Sequence, residues 1–258
     1  MITETQVVTF MLVLARVSAF VAFFPLFSRR QLPTSVKAGL AVALTAFWYG
    51  TVESTGVAVV DAGGLTTVGS TLLLTREITI GIVLSIVLGV FFLPAKVAGA
   101  YIGQEIGLSL ASISDPASAD SSTLVTRILE AFAILIFFSI NLHHFLILVI
   151  HLSFEKLFGK IDVLNLPVDN LVSVLNDVSD YGLLIVAPVA VLLMLVTVGL
   201  AYLNKAAPTL NLFSVGLSIR CGFGIFCLLF FLPVVFGAVR AYFYRSQEDI
   251  ELLLMSFK

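Results

Sequence analysis

The sequence predicts an all-α integral membrane protein with about six long apolar helices. Three observations predict it. Hydrophobic residues fill 59% of the 258 positions and charged ones 12%, against about 45–50% and about 25% in soluble domains. The mean hydropathy is +1.10, and 14 Lys+Arg with 16 Asp+Glu cannot furnish a water-facing surface for a chain of this length. Apolar runs recur near the ~20 residues that cross a bilayer as a helix. The alternation of barrel strands is absent, so each segment must bond its own backbone within lipid. The formal net charge of -2 gives no reason to expect nucleic acid as a partner.

The first helix is expected over 6–27, interrupted by Arg16. The preceding MITETQ lacks the basic stretch of a cleaved signal peptide, so this helix is expected to stay. The loop SRRQLPTSVK carries Arg29, Arg30 and Lys37, whereas the N-terminus and residues 51–67 carry no Lys or Arg. The positive-inside rule then places 28–37 in the cytoplasm and the N-terminus outside. Lys156, Lys160, Arg240 and Arg245 oppose that alternation. A shorter apolar run follows at 38–52, and a longer one at 78–95. The helical pattern around the latter extends from Val68 to Gly103. It would stretch roughly 54 Å, against a hydrocarbon core of about 30 Å. Tilting or a kink at Pro94 absorbs part of the excess; the rest leaves the bilayer or enters a protein assembly. Runs at 131–154, 181–204 and 221–239 supply the remaining spans. In VDNLVSVLNDVSD, residues 168–180, Leu171, Val174, Leu175 and Val178 oppose Asn170, Ser173, Asp177 and Asp180. That amphipathic helix lacks a cation on its polar face, which favours docking on protein over anionic lipid. Without an internal repeat or linker, 1–258 reads as a single membrane-embedded domain.

Arg16, Arg76, Glu77, Lys96, Glu105, Arg127, Glu130 and Arg220 sit inside or at the ends of the helices. An Arg at the bilayer centre costs about +2.5 to +3.5 kcal/mol, so such groups normally face protein, water or each other. Arg76 and Glu77 also fit a helix end, and Lys96 and Arg220 fit snorkelling to the interface. On one continuous helix, Arg127, Glu130, Asn141, His144, His151 and Glu155 share a wedge of about 120° at about 100° per residue. Three uses of this stripe stand open. The Glu and His groups could relay protons. A metal site is weaker, because His144 and His151 lie about 10 Å apart in rise. The third use, a buried stripe bonding to neighbouring helices, is the one membrane proteins favour. Cys221 and Cys227 are separated by about 9 Å of helical rise, beyond the ~7 Å a disulfide bridges. They read as small core residues. The chain holds no HExxH, glycine-rich phosphate loop or nucleophile–His–Asp ordering. No enzyme and no cofactor are expected.

Three stretches carry a family resemblance. The first is LARVSAFVAFFPLFSRRQLPTSVKAGL, with Arg16, Pro25, Pro33 and Lys37. The second is IGQEIGLSLASISDPASADSST, with Gly103, Gln104, Glu105, Gly107, Ser109, Ser112 and Asp115–Pro116. The third is LNKAAPTLNLFSVG, with Lys205, Pro208, Leu210, Phe213 and Gly216. Together and in this order they resemble the FliR/SctT family of type III secretion export-gate subunits. Thr209 stands where the family usually has Gln, Ser218 where Pro is common, and Glu105 where Gln is frequent. The segment SFEKLFGKID lacks the usual Pro-Gly ending.

The resemblance implies kinked helices packed into a helical, funnel-like export-gate assembly around a pore, rather than a flat bundle. It implies FliP-like, FliQ-like and FlhB-like partners in the bacterial inner membrane, at the flagellar basal body, with unfolded flagellar subunits as the cargo. It also implies that the Gly/Ser/Asp-Pro segment acts as a pore plug. The sequence agrees that far: small residues allow close approach, and irregular backbone at membrane depth survives only inside protein or beside water. A competing reading is a proton-coupled small-molecule transporter using Glu130, His144 and His151.

Overall fold

The computed structural model describes residues 4–27, 32–54, 67–108, 123–158, 168–206 and 212–256. Within them all regular structure is helical. The elements are α1 (Glu4–Phe23), a 3-10 turn (Pro25–Phe27), α2 (Thr34–Ser54), α3 (Thr67–Gly89), a second 3-10 turn (Val90–Phe92), α4 (Leu93–Ile106), α5 (Leu124–Ser139), α6 (Leu142–Leu157), α7 (Val168–Ala206) and α8 (Leu212–Ser256).

The all-α expectation holds, while the division into spans differs from the sequence reading. Four helical stretches are long and apolar enough to cross a membrane: Gln6–Phe23, Gly69–Ile106, Asn176–Leu203 and Val215–Leu252. The broken pair α5–α6 brings a possible fifth. The run at 131–154 is not one helix, because Ile140 and Asn141 form a turn, with Asn141 at φ 59. Asparagine tolerates that left-handed conformation better than most residues. The amphipathic segment 168–180 is not a separate helix either. It runs directly into the apolar segment after it, making α7 39 residues long with Pro188 inside. The last span likewise sits within α8, of 45 residues with Pro233 inside. The overlong helical stretch expected across 68–103 is present as α3 and α4, with the 3-10 turn between them just ahead of Pro94.

The chain divides into two compact units. One contains residues 1–90, 142–171 and 251–258, the other 91–141 and 172–250. The 3-10 turn at 90–92 and the break at 140–141 both fall where the chain passes from one unit to the other.

In the first unit α1 packs closely on α3 through Gly81. A methyl group at Gly81 would overlap the Arg16 carbonyl and Ala19. Val13, Val17, Phe20, Trp48 and Leu88 form its core. In the second unit α4 and α5 pack closely through Gly99 and Gly103, which face Thr126 and Thr123. Its apolar centre is an aromatic cluster. Phe137 lies 6.0 Å from Phe91, 5.3 Å from Phe92 and 6.2 Å from Phe243 between ring centroids, with edge-on or tilted geometry throughout. Such arrangements are favourable beyond the area they bury.

Candidate functional site

Arg16 lies in the middle of an apolar helix, and the fold explains how it is tolerated. Its side chain is fully buried in the first unit. The Nε donates to Glu77 Oε2 at 2.7 Å, and Nη2 reaches the same oxygen. The Nη1 donates to the Ser153 carbonyl at 2.8 Å and to Ser153 Oγ at 3.2 Å. The guanidinium sits over the Phe154 ring, 4.4 Å from its centroid, and 5.5 Å from that of Phe158. Residues from α1, α3 and the end of α6 thus meet on one cation. Each contact offsets part of the desolvation that a buried charge suffers, several kcal/mol or so per ion. Ser153 also lies one turn from the C-terminus of α6, where the helix dipole favours a positive charge.

Of the two sequence readings of Glu77, the structure selects the charge that faces another charge. A carboxylate at a helix end would be solvated, but Glu77 is 1% exposed and is the counter-ion of Arg16. Arg76 Nη1 lies 3.7 Å from its other oxygen. The signal was present in the sequence: two opposite charges, each within an apolar run, require each other. What sequence reading missed is which of several charges pair, since the partners are 61 positions apart.

The expected buried stripe is not carried by one continuous helix. It presupposed an unbroken helix, and the turn at Asn141 ends that register. Arg127 and Glu130 belong to α5, while His144, His151 and Glu155 belong to α6. Arg127, Asn141 and His144 are exposed in the isolated chain, and Glu130 and His151 are half-buried. His151 Nε2 lies 3.4 Å from Glu155 Oε1, one turn on along the same helix. Among the described residues no three His, Cys, Asp or Glu side chains gather to hold a metal ion.

The residues read as a plug divide between helix and undescribed chain. Gly103 is a packing residue: a side chain there would collide with Thr123. Thr123 caps α5, its Oγ1 accepting from the Thr126 amide at 3.3 Å and donating to the Gly99 carbonyl at 3.4 Å. Gly107 ends α4 in the left-handed region, φ 88, and its amide donates to the Gln104 carbonyl at 3.0 Å. Glycine adopts this conformation without strain. Gln104 and Glu105 are exposed. Ser109, Ser112, Asp115 and Pro116 lie outside the described residues. The ends of this segment are therefore set by tight packing, with Thr123 and Gly103 meeting at its base.

The other motif residues have local roles. Pro25 opens the 3-10 turn that follows α1. Pro33 precedes α2, and its carbonyl accepts from the amides of Val36 and Lys37, both at 3.1 Å. Lys37 is half-buried, Lys205 exposed at the end of α7, and Gly216 buried on α8. Phe213 is helical, and Pro208 and Leu210 lie outside the described residues.

The family described as bacterial export proteins, family 1, matches residues 7–246. The chain is 30% identical over 226 residues to the flagellar biosynthetic protein FliR of Escherichia coli (strain K12), covering 86% of this chain and 83% of that one. It is 27% identical over 249 residues to the flagellar biosynthetic protein FliR of Bacillus subtilis (strain 168), covering 95% and 94%. The surface presentation of antigens protein SpaR of Shigella sonnei is 25% identical over 178 residues, 68% of each chain. The helices, several of them long and apolar enough to span a bilayer, make this a multi-pass membrane protein. The match runs through nearly all of them: the chain belongs to the bacterial export proteins, family 1.

Proposed function

We propose that this chain is a pore-forming, non-enzymatic subunit of a flagellar type III protein export gate in the bacterial inner membrane. It passes unfolded flagellar subunits, as one part of an assembly with FliP-like, FliQ-like and FlhB-like proteins. In this reading the segment 102–123, with Gly103, Gln104, Glu105, Gly107, Ser109, Ser112, Asp115 and Pro116, plugs the pore, and 1–258 works as one membrane-embedded domain. The similarity to the two FliR proteins supports the flagellar reading, and the similarity to SpaR extends it to type III secretion more broadly.

The observation that carries the assembly reading is a mismatch of length. The helical stretch Val215–Leu252 has 38 residues, about 57 Å of helix, with an uncharged run at 221–239 and charged residues on either side of it. Even at a tilt of about 40°, the upper end of the usual range, it would rise about 44 Å, against about 30 Å of hydrocarbon. Yet Phe226 and Phe230 are 63% and 69% exposed, and Val215 and Leu252, near its two ends, are exposed as well. On α7, Met194 is 68% and Tyr202 72% exposed. Lipid covers about 20 residues of such a helix, so exposed side chains as far apart as Val215 and Leu252 cannot all lie in hydrocarbon, and water is a poor solvent for the remainder. Apolar helices of other chains suit this surface.

The test is purification of the tagged full-length chain from native membranes in mild detergent. The expected result is a stable complex containing FliP-like and FliQ-like proteins. A monomer that is stable in detergent and restores export when reconstituted alone would overturn the reading.

A further inference from the structure

We infer that Arg16 and Glu77 form a polar latch that holds helix α6 in register on α1 and α3, and that α6 detaches as a unit when the latch is broken. The inference concerns the first unit alone and is independent of the export reading.

The helices of this unit are held in two different ways. The backbones of α1 and α3 touch through Gly81, so their packing is specified by shape. Helix α6 reaches its neighbours through long side chains instead. Phe154 lies 5.8 Å from Trp48 between ring centroids, and Phe154 and Phe158 cover the Arg16 guanidinium. Phe145, Val149 and Ile150 are buried on the same helix. Burial of that kind does not fix a helix in a membrane, because lipid tails are as apolar as the protein core. Such a face can slide, rotate or move into lipid at little cost. A hydrogen bond from a cation to a backbone carbonyl has no equivalent partner in lipid. The bond from Arg16 to the Ser153 carbonyl therefore sets where α6 sits, and Glu77 aims the guanidinium that makes it.

The ends of α6 suit an element that moves as a body. At its start, Asn141 in the left-handed conformation breaks the α-helical ladder. Helix α6 can thus shift without unwinding the helix before it. At its other end the contacts gather on Ser153, Phe154 and Phe158, within about one and a half turns.

Hydrogen–deuterium exchange on the full-length chain in mild detergent tests the latch, reading the amides of 142–157 separately from those of α1 and α3. In the variant carrying both Arg16→Met and Glu77→Met, the two fully buried charges are gone and only the partly buried Arg76 remains beside them. The expected result is wild-type protection in α1 and α3 with at least ~10-fold faster exchange in α6. Wild-type protection of α6 in this variant would overturn the latch, since apolar packing would then be sufficient. Simultaneous loss of protection in α1, α3 and α6 would also overturn it, because the three would form one cooperative core. If the double variant does not fold, Arg16→Lys keeps the charge but lacks the fork that reaches Glu77 and the Ser153 carbonyl together; it is expected to raise exchange in α6 alone, and an unchanged α6 overturns the latch. Ser153→Ala keeps the carbonyl and is expected to behave as wild type. Release of α6 by Ser153→Ala alone would assign the hold to the hydroxyl and overturn the proposal.

Discussion

Gly99 and Thr126 meet backbone to backbone: a side chain added to Gly99 would fall on the Thr126 Cα. Backbone cannot yield as the end of a flexible side chain can. Gly99→Ala is therefore expected to destabilise the α4–α5 pair by about 1–3 kcal/mol, the usual cost of overpacking, despite alanine's higher helix propensity. Gly39, by contrast, is an exposed helical glycine with nothing within 4 Å of the added atom. Gly39→Ala should leave stability unchanged or raise it by up to about 1 kcal/mol. Thermal unfolding of the two variants in the same detergent, followed by circular dichroism, measures the contrast.

The Arg16–Glu77 pair should show the asymmetry of buried ion pairs. Arg16→Met alone leaves the Glu77 carboxylate buried with only Arg76, 3.7 Å from its other oxygen, facing it, and is expected to cost about 3–5 kcal/mol. Adding Glu77→Met removes the stranded charge, so the double variant should be more stable than either single one. Folded yield and melting temperature of the three variants decide this; a double variant no better than the worse single would contradict it.

Two phenylalanines separate folding from assembly. Phe243 is fully buried among Phe91, Phe92 and Phe137, and Phe243→Ala should cost about 3–5 kcal/mol of stability. Phe230 is 69% exposed. Phe230→Ala should leave the melting temperature of the isolated chain unaltered while lowering the amount of partner protein that co-purifies.

Removing residues 111–121 bears on the plug reading. The expected phenotype is an ion leak across the inner membrane of cells expressing the gate. A tight membrane with lost motility would recast the segment as a docking element. Neither effect would make it an ordinary loop.

Glu130 and His144 stand on different helices, so the shared face of one continuous helix that motivates a relay between them is absent. Cells carrying Glu130→Gln or His144→Ala are expected to swim as well as wild type on soft agar.

How far these features could be read from sequence follows from what each depends on. Helix content and membrane class rest on composition and run length, which are local. Arg16 was visible as an intramembrane charge, but its counter-ion was one of several charged residues, and only the packing of α1 on α3 selects Glu77. The stripe across 127–155 rests on an assumption of another kind. A wheel assumes an unbroken helix, and one left-handed asparagine in an apolar run gives little warning. Gly103 and Gly107 were grouped with the polar segment because small residues serve loops and tight packing alike. Their use in packing depends on Thr123 and Leu217, which the sequence does not place beside them.

The alternation of the two units along the chain has a consequence during synthesis. Arg16 and Glu77 are translated early, but Ser153 follows Glu77 by 76 residues, the difference between separations of 137 and 61. At about 5–20 residues per second, the ribosome leaves the buried charge pair without its third partner for roughly 4–15 s. Stretches of the second unit emerge in that interval, and its long last helix appears only afterwards. Neither unit can therefore mature before the other has begun. A nascent chain stalled between residues 90 and 142 would hold an incompletely solvated arginine in the membrane, a ready mark for quality-control proteolysis.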